Sequence, residues 1–586
     1  MGHQSSHHLG SRLSGDGVDF QVWAPFAKSV SVLVGEEYNW IETPLTHKAG
    51  HWSGAAKDAK PGQSYKYKII TADDTTLERN DPRARQLTAS ENGVSVIIDP
   101  EYDWEDIEQP IIPKEKQILY ELHVGTFNRP DAATPGTFFT AIEKLDYLKS
   151  LGVNMVELMP VFSRVSRQDW GYAINHPFSV DVSYGGRRGL LDFVKACHKR
   201  GIGVMLDVVY NHFYSDTLWQ FDGWKENNRG GIYFYNDERG DTPWGDRPDY
   251  GRPEVRQFIL DNVTMWLTEY HIDGLRVDST IYMRNTRGPE GDKTTEIPEA
   301  WSLLQEMTRL AHSINPHSTM AAEDSSVNDF ITKPENEGGA GFDAQWGLSF
   351  PHTLRSMLDL ETSQYGDSLV KELQHYYNGD AFQKVIFSDS HDTAANGSVR
   401  LNEAATPGNA GSIFARQFGL LADAVMLSAP GIPMLLQGAE FMQEGSFSDW
   451  QMLEWDKTKQ FAGIVLAHQH LISLRLNAHS NTAGLMGPGI NVFHQDNENR
   501  VIAYHRWLHG GIGDDVIVIA NFNDKRFTSY ELILPMAGTW RVRFNSSWKG
   551  YSSDFNETKT SSVTTDDDNR VTIELADYNL VILSQD

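Results

Sequence analysis

The sequence predicts an α/β fold: a (β/α)8 TIM barrel carrying an all-β domain at each end. Two observations predict it. Between residues 113 and 485, eight short apolar runs alternate, for most of that length, with segments of helical period. Eight such units close more naturally into a barrel than into an open sheet. On either side the helical period vanishes, and short strand-like runs separated by turn residues take over.

Residues 1–112 read as an N-terminal β-sandwich. FQVWAPF, SVSVLV, HWSGAA and YKYKII are its strands, with turns such as KPGQ between them. Trp40 and Trp52 are assigned to its core. EDIEQPIIPKEK, rich in proline and charge, links it to the barrel. The barrel opens with ILYELHV. TFFTAIEKLDYLKSLG then places Phe138, Ile142, Leu145 and Leu148 at helical spacing and stops at Gly152, so one helix is expected there. NMVELMPV, GIGVMLDVVYNH, DGLRVDS, HSTMAAED, FDAQW, KVIFSDSHD and GIPMLLQGAE supply the other seven strands. GLLDFVKACHKRG, EVRQFILDNVTMWLTEY and AWSLLQEMTRLAHSI are crossover helices. GGAGFD lacks the Lys-Ser/Thr of a phosphate loop and reads as the turn before FDAQW. Residues 486–586, with VIAYHRW, DVIVIANFN, YELILP, WRVRFNSS and NLVILSQ, read as a C-terminal β-sandwich domain.

Composition narrows the function. A formal net charge of −28 excludes nucleic acid and anionic membrane as partners, since both demand clustered Lys and Arg. The single cysteine, Cys197, permits neither an internal disulfide nor a thiolate zinc site and reads as a small core residue. MGHQSSHHLGSRLSGDG has no apolar region of the kind an export signal needs, and no run of eighteen apolar residues occurs, so a cytoplasmic protein is expected. His3, His7 and His8 are read as part of a flexible tail. A monomer is expected, with no cofactor and no metal.

Active sites of such barrels lie at the C-terminal ends of the strands. Four strands end in acids there: Asp207 with Asn211 and His212; Asp278 with Arg276; Glu323 with Asp324; Asp389 and Asp392 with His391. A loop cap accounts for any one of them, but like charges gathered in one cleft repel. Retaining glycoside cleavage wants such a set: one carboxylate to attack the anomeric carbon and one protonated acid for the leaving oxygen. Arg276 and Asp278 sit on the same face of one strand, so the guanidinium can hold that carboxylate charged and oriented; Asp278 fits the nucleophile. Glu323, preceded by MAA and with no cation close in sequence, fits the acid/base. Asp392 and His391 are left to hold sugar hydroxyls and the charge developing on the ring.

DVVYNH (207–212), GLRVDS (274–279), AAED (321–324) and SDSHD (388–392) together resemble the four signature regions of the α-amylase superfamily, glycoside hydrolase family 13. The resemblance implies Asp278 as nucleophile, Glu323 as general acid/base and Asp392 as transition-state stabiliser. It also implies that Arg276, His212 and His391 line the sugar subsite with Tyr172 and Trp170 of DWGY, and that Asp207 supports it. The N-terminal domain is then carbohydrate-binding-module-like, and the partner is an α-glucan: glycogen, starch, amylose or malto-oligosaccharides. PDYGRPEVRQFILDNVTMWLTEYHIDGLRVDSTIYM and FNSSWKGYSSDF resemble glycogen and starch branching enzymes. LYELHVGTF, VELMPV and TPWG also resemble maltooligosyltrehalose trehalohydrolases. Branching is the preferred expectation. Hydrolysis of the α-1,4 bond is the first alternative, and an inactive glucan-binding protein is the alternative of another class. Tyr282 stands where many amylases carry a histidine that helps bind calcium; with Asn211 read as a loop cap, no required calcium is expected. Phe447, Trp450 and Trp455, after the eighth strand, are left between packing and stacking on an acceptor sugar.

Overall fold

The structure, a computed structural model, describes residues 9–36, 39–164, 170–214, 217–359 and 365–586; His3, His7 and His8, and Asp169 of DWGY, lie outside them. All eight expected strands form and close into one parallel barrel: Leu119–Leu122, Met155–Leu158, Gly203–Val208, Gly274–Val277, Thr319–Ala322, Ala344–Trp346, Lys384–Phe387 and Ile432–Leu436. Every residue of these strands is buried, as continuous apolar runs require when helices cover the outside. The lower interior is a plug of Leu119, Met155, Met205, Ala344, Val385, Phe387 and Met434. One step further along, the same face of four strands carries Glu121, Glu157, Asp207 and Arg276, because alternate residues share a face. Polar groups therefore begin where the plug ends.

The crossover helices follow the sequence except in one place. TFFTAIEKLDYLKSLG forms two short helices, Phe138–Ile142 and Leu145–Leu151, rather than one. Lys144, at φ −104°, ψ 0°, donates its N–H back to Ala141 and turns the chain. The turn lets Leu145, Leu148 and Leu151 bury fully while Ile142 stays only partly buried. The expected stop is real: Gly152 caps the second helix at φ 102°, a left-handed conformation that glycine adopts without strain. The long crossovers Pro253–Thr268 and Pro298–Ile314 each start with proline, which has no N–H to leave unpaired. Cys197 is buried within Gly186–His198.

The N-terminal residues fold as two antiparallel sheets facing one core. Gly17–Trp23 and His51–Lys57 belong to one sheet; Ser29–Glu36 and Ser64–Ile70 belong to the other. Val18, Phe20 and Val22 alternate inward from one sheet, and Val30, Val32, Tyr65 and Tyr67 from the other. Trp52 is buried, with its indole N–H on the Ala24 carbonyl; Trp40 is half-buried under the Lys66 ammonium. The domain meets the barrel through Arg83, which pairs with Asp261 at 2.8 Å and lies over the Phe178 and Phe258 rings.

At the other end a six-stranded sheet, from Gly489–Asp496 to Ser562–Thr564, packs on the two-stranded sheet Phe527–Ile533 with Arg570–Leu575, and Trp540 is buried between them. Two buried arginines lie at the seam with the barrel, Arg475 within the barrel and Arg506 reaching across from this domain. Arg475 donates to the carbonyls of Ala429 and Gly431; Arg506 donates to those of Ser428, Gly487 and Gly489. Among the described residues no helix is long and apolar enough to cross a membrane.

Candidate active site

The site is built from the ends of the strands upward. Asp207 and Arg276 are register partners on adjacent strands, and the guanidinium meets the carboxylate at 2.6 Å. Arg276 is fully buried, and its flat face lies 4.3 Å from the centre of the Trp346 ring. The same Nη1 reaches Asp278 Oδ1 at 2.7 Å, and Nη2 lies 3.3 Å from Glu323 Oε2. One guanidinium thus bridges three carboxyl groups from three strands. A buried charge of this kind is tolerated only with such partners.

Asp278 is held on both oxygens. Asn211 Nδ2 donates to Oδ2 at 2.7 Å and to the Asp278 backbone carbonyl at 3.0 Å. Asn211 is therefore no loop cap: its amide orients Asp278, and its oxygen faces His212 Nδ1 at 2.5 Å. The next residue, Ser279, takes φ 41°, ψ 55°, a left-handed conformation that costs a non-glycine residue on the order of 1 kcal/mol. In that conformation its N–H donates to Glu323 Oε2 at 2.8 Å. Strain at the end of one strand thus aims a donor at the acid on the next.

Glu323 has a cation in space that its sequence neighbours did not reveal, since Arg276 stands beside it. Burial nevertheless dominates. It outweighs Arg276 and, with the Asp278 and Asp392 carboxylates nearby, pushes the Glu323 carboxyl from 4.5 up to about 8. Burial likewise raises Asp207 to about 6 against the pull of Arg276. The other strand-end acids turn away from the cavity. Asp324 is gripped by Arg284 through two 3.0 Å bonds, and Asp389 by Arg355 at 2.6 Å.

Asp278, Glu323, Asp392, His212, His391, Trp170 and Tyr172 line one cavity of about 540 Å³ at the barrel mouth. Arg276 and Asp207 lie beneath it. Tyr172 stacks on the His391 ring at 5.5 Å and donates its hydroxyl to Asp207 at 2.7 Å. Trp170 meets His391 edge-on at 5.7 Å. Asp392, half-buried at the rim, lies 3.6 Å from His391 Nε2. Trp244 and Tyr214, both about half exposed, and Asn396 complete the wall. Sequence reasoning missed these three. TPWG places Trp244 in a loop, and only its approach to the His212 ring, at 5.7 Å, brings it here. Phe447 is buried against Trp170 and His391, and Trp455 donates to the Phe127 carbonyl amid Phe127, Tyr147 and Phe441; both pack. Trp450 is exposed. Among the described residues no group of three or more His, Cys, Asp or Glu side chains is placed to hold a metal ion.

Comparison with known proteins places this arrangement. The alpha amylase catalytic domain matches residues 122–249 and 224–464. The alpha amylase C-terminal all-beta domain matches 492–586, and carbohydrate-binding module 48, the isoamylase N-terminal domain, matches 8–84. The chain is 32% identical to a 1,4-alpha-glucan branching enzyme of Oceanobacillus iheyensis, over 90% of this chain and 86% of that protein. It is 30% identical to a malto-oligosyltrehalose trehalohydrolase of Saccharolobus solfataricus, over 75% of this chain and 76% of that one. In fold it resembles the crystal structure of a pullulanase from Anoxybacillus sp. LM18-11 complexed with maltotetraose, with TM-score 0.78 and 22% identity over 100% of this chain and 88% of that one. With its catalytic, N-terminal and C-terminal segments all matched, the chain belongs to the alpha-amylase family, glycoside hydrolase family 13.

Proposed function

We propose that this protein is a 1,4-α-glucan branching enzyme: a retaining transglycosylase that cuts an α-1,4-glucan and joins the freed chain to a 6-hydroxyl. The observation that carries the chemistry is the Arg276 guanidinium, which joins Asp278 and Glu323 at the rim of one cavity. Two carboxyl groups spanned by one planar fork suit the close pair of a retaining enzyme better than the wide pair of an inverting one. Likeness to the Oceanobacillus branching enzyme over nine tenths of the chain supports branching as the outcome.

In the first step Asp278 attacks the anomeric carbon while Glu323 gives its proton to the departing glycosidic oxygen. The glycosyl chain is left as an ester on Asp278. In the second step Glu323, now a carboxylate, takes the proton of an acceptor hydroxyl, which attacks the same carbon and releases Asp278. Asp392, His391 and His212 hold the hydroxyls of the reacting glucose, and Trp170, Tyr172 and Trp244 offer flat faces to its C–H edges. We assign the sandwich to residues 1–112, the barrel to 113–485 and the C-terminal domain to 486–586, and read the enzyme as cytoplasmic and monomeric.

Amylose incubated with the enzyme tests the reading. Branching predicts loss of iodine stain with little rise in reducing ends and new α-1,6 anomeric proton signals. A rise in reducing ends that matches the loss of stain rejects transfer. The similarity to the Saccharolobus trehalohydrolase supports a second reading. Release of trehalose from a trehalose-ended malto-oligosaccharide, with amylose left unbranched, would favour it.

A further inference from the structure

Beneath the cavity, two glutamates lie side by side on the first two barrel strands. Glu121 and Glu157 are register partners of parallel neighbours, both buried and both on the face that carries Asp207 and Arg276 further round the barrel. Two carboxylates so close in a dry interior do not both ionise. Their surroundings separate them. Glu121 accepts the His391 backbone N–H on Oε2 at 2.9 Å and meets His391 Nδ1 with Oε1 at 2.5 Å. Glu157 Oε2 is buried with no hydrogen-bond partner, and burial together with the Glu121 charge pushes its carboxyl well above the usual range.

The other nitrogen of His391 can be assigned by counting protons. Tyr172 has one hydroxyl proton, which it donates to Asp207 Oδ2 at 2.7 Å. Its oxygen therefore accepts from His391 Nε2, 3.0 Å away. With Nδ1 facing a carboxylate and Nε2 facing an acceptor, both ring nitrogens carry hydrogen. We propose that Glu121 is a positioning residue that holds His391 as an imidazolium, with its Nε2–H aimed at the Tyr172 hydroxyl and the Asp392 carboxylate. The inference rests on the reading of the cavity as the glycosyl-transfer site.

The groups facing His391 come from every side. Glu121 and His123 belong to the first strand and its end, Glu157 to the second, Arg276 to the fourth, Tyr172 to the loop over the cavity, and Asp392 is its chain neighbour. Burial and Arg276 oppose the charge; Asp392 and Glu121 outweigh them and leave His391 raised from 6.5 to about 9. His123, by contrast, is driven down to about 3 by burial, without a carboxylate of its own. A fixed cation beside Asp392 holds that carboxylate aligned while positive charge grows on the sugar ring. Losing Glu121 would let the imidazole deprotonate within the working range, whereas losing the proton-bearing Glu157 would change little.

The test is the pH dependence of stain loss on amylose for the wild type, Glu121→Gln and Glu157→Gln, with a thermal midpoint for each. Glu121→Gln is expected to move the alkaline limb down by about one unit, which is about ten-fold in rate at pH 8, with a smaller loss at pH 6 and KM within about two-fold. Glu157→Gln should superpose on the wild type, and Glu121→Asp, which restores a carboxylate, should return the limb. A Glu121→Gln profile lowered equally at every pH, or Glu157→Gln shifted as far, overturns the proposal. Should the glutamine variant not fold, nitrogen-15 histidine NMR of the wild type decides, with the His391 signal assigned by its loss in His391→Gln. Imidazolium shifts persisting to pH 8 are expected, and a neutral ring at pH 7 overturns the idea. Asp278→Asn run alongside separates the two failures: a fully active Asp278→Asn would defeat the site assignment itself, while an inactive one with an unshifted Glu121→Gln would defeat only this inference.

Discussion

At the scale of single residues, the site works by giving like groups unlike surroundings. Asp278 takes donors on both oxygens from Arg276 and Asn211, while Glu323 is kept protonated by burial and by two neighbouring carboxylates. Asp278→Asn should cut turnover by roughly 10³-fold or more with the fold intact, as read from kcat and far-ultraviolet circular dichroism. Asn211→Ala should cost on the order of 10²-fold in kcat with KM little changed, because it removes a preorganised donor; an unchanged kcat would remove Asn211 from the site. Glu323 also sets a pH sign. Its folded value is raised from 4.5 to about 8, so its contribution to stability is full below about 4.5 and is lost as pH rises through about 8. Activity should fall on the alkaline side near pH 8. Glu323→Gln should be inactive yet gain thermal stability relative to wild type between pH 6 and pH 9. A difference in melting temperature that does not change with pH would contradict this.

At the scale of elements, the strands were legible because each is an apolar run ending in polar residues, and a barrel puts those ends together. That Asp278, Glu323 and Asp392 would meet in one cavity was therefore readable from the strand ends. Less was readable where the partner is remote or the signal weak. Glu121 and His391 are separated by 270 residues, and no local pattern ties them. Asn211 resembles any loop-capping asparagine until Asp278 is placed beside it. Thr46–Lys48, exposed at every position, has no apolar alternation to betray a strand. The break at Lys144 escaped because Phe138, Ile142, Leu145 and Leu148 fit one helical face by spacing alone. Gly152 was found, and its reason is steric as well as conformational. A Cβ there would meet Ile472 Cγ2 at 2.5 Å on the helix Ala462–Arg475. Gly152→Ala should destabilise the protein by about 1–3 kcal/mol in denaturant unfolding; a variant as stable as wild type would show that the helix pair yields freely.

At the scale of the whole molecule, three domains share buried contacts. Arg506 binds the Ser428 carbonyl across the seam between barrel and C-terminal domain, Ser428 meets Tyr504 there at 2.7 Å, and Arg475 holds the Ala429 carbonyl on the barrel side. Arg506→Met keeps much of the bulk but strands several buried carbonyls. It should cost about 2–4 kcal/mol and make the C-terminal domain melt ahead of the barrel in calorimetry; a single unshifted transition would contradict that role. The net charge of −28 fits a neutral polysaccharide substrate and was informative for what it excluded. The central claim is that the glycosyl chain passes through an ester on Asp278. Mass spectrometry of the peptide bearing residues 274–284, after reaction with a slow-turnover fluorinated maltosyl donor, tests it most directly. The account predicts a glycosyl adduct on Asp278 that disappears when a malto-oligosaccharide acceptor is added. An adduct on another residue, or turnover with inversion and no adduct at all, would contradict it.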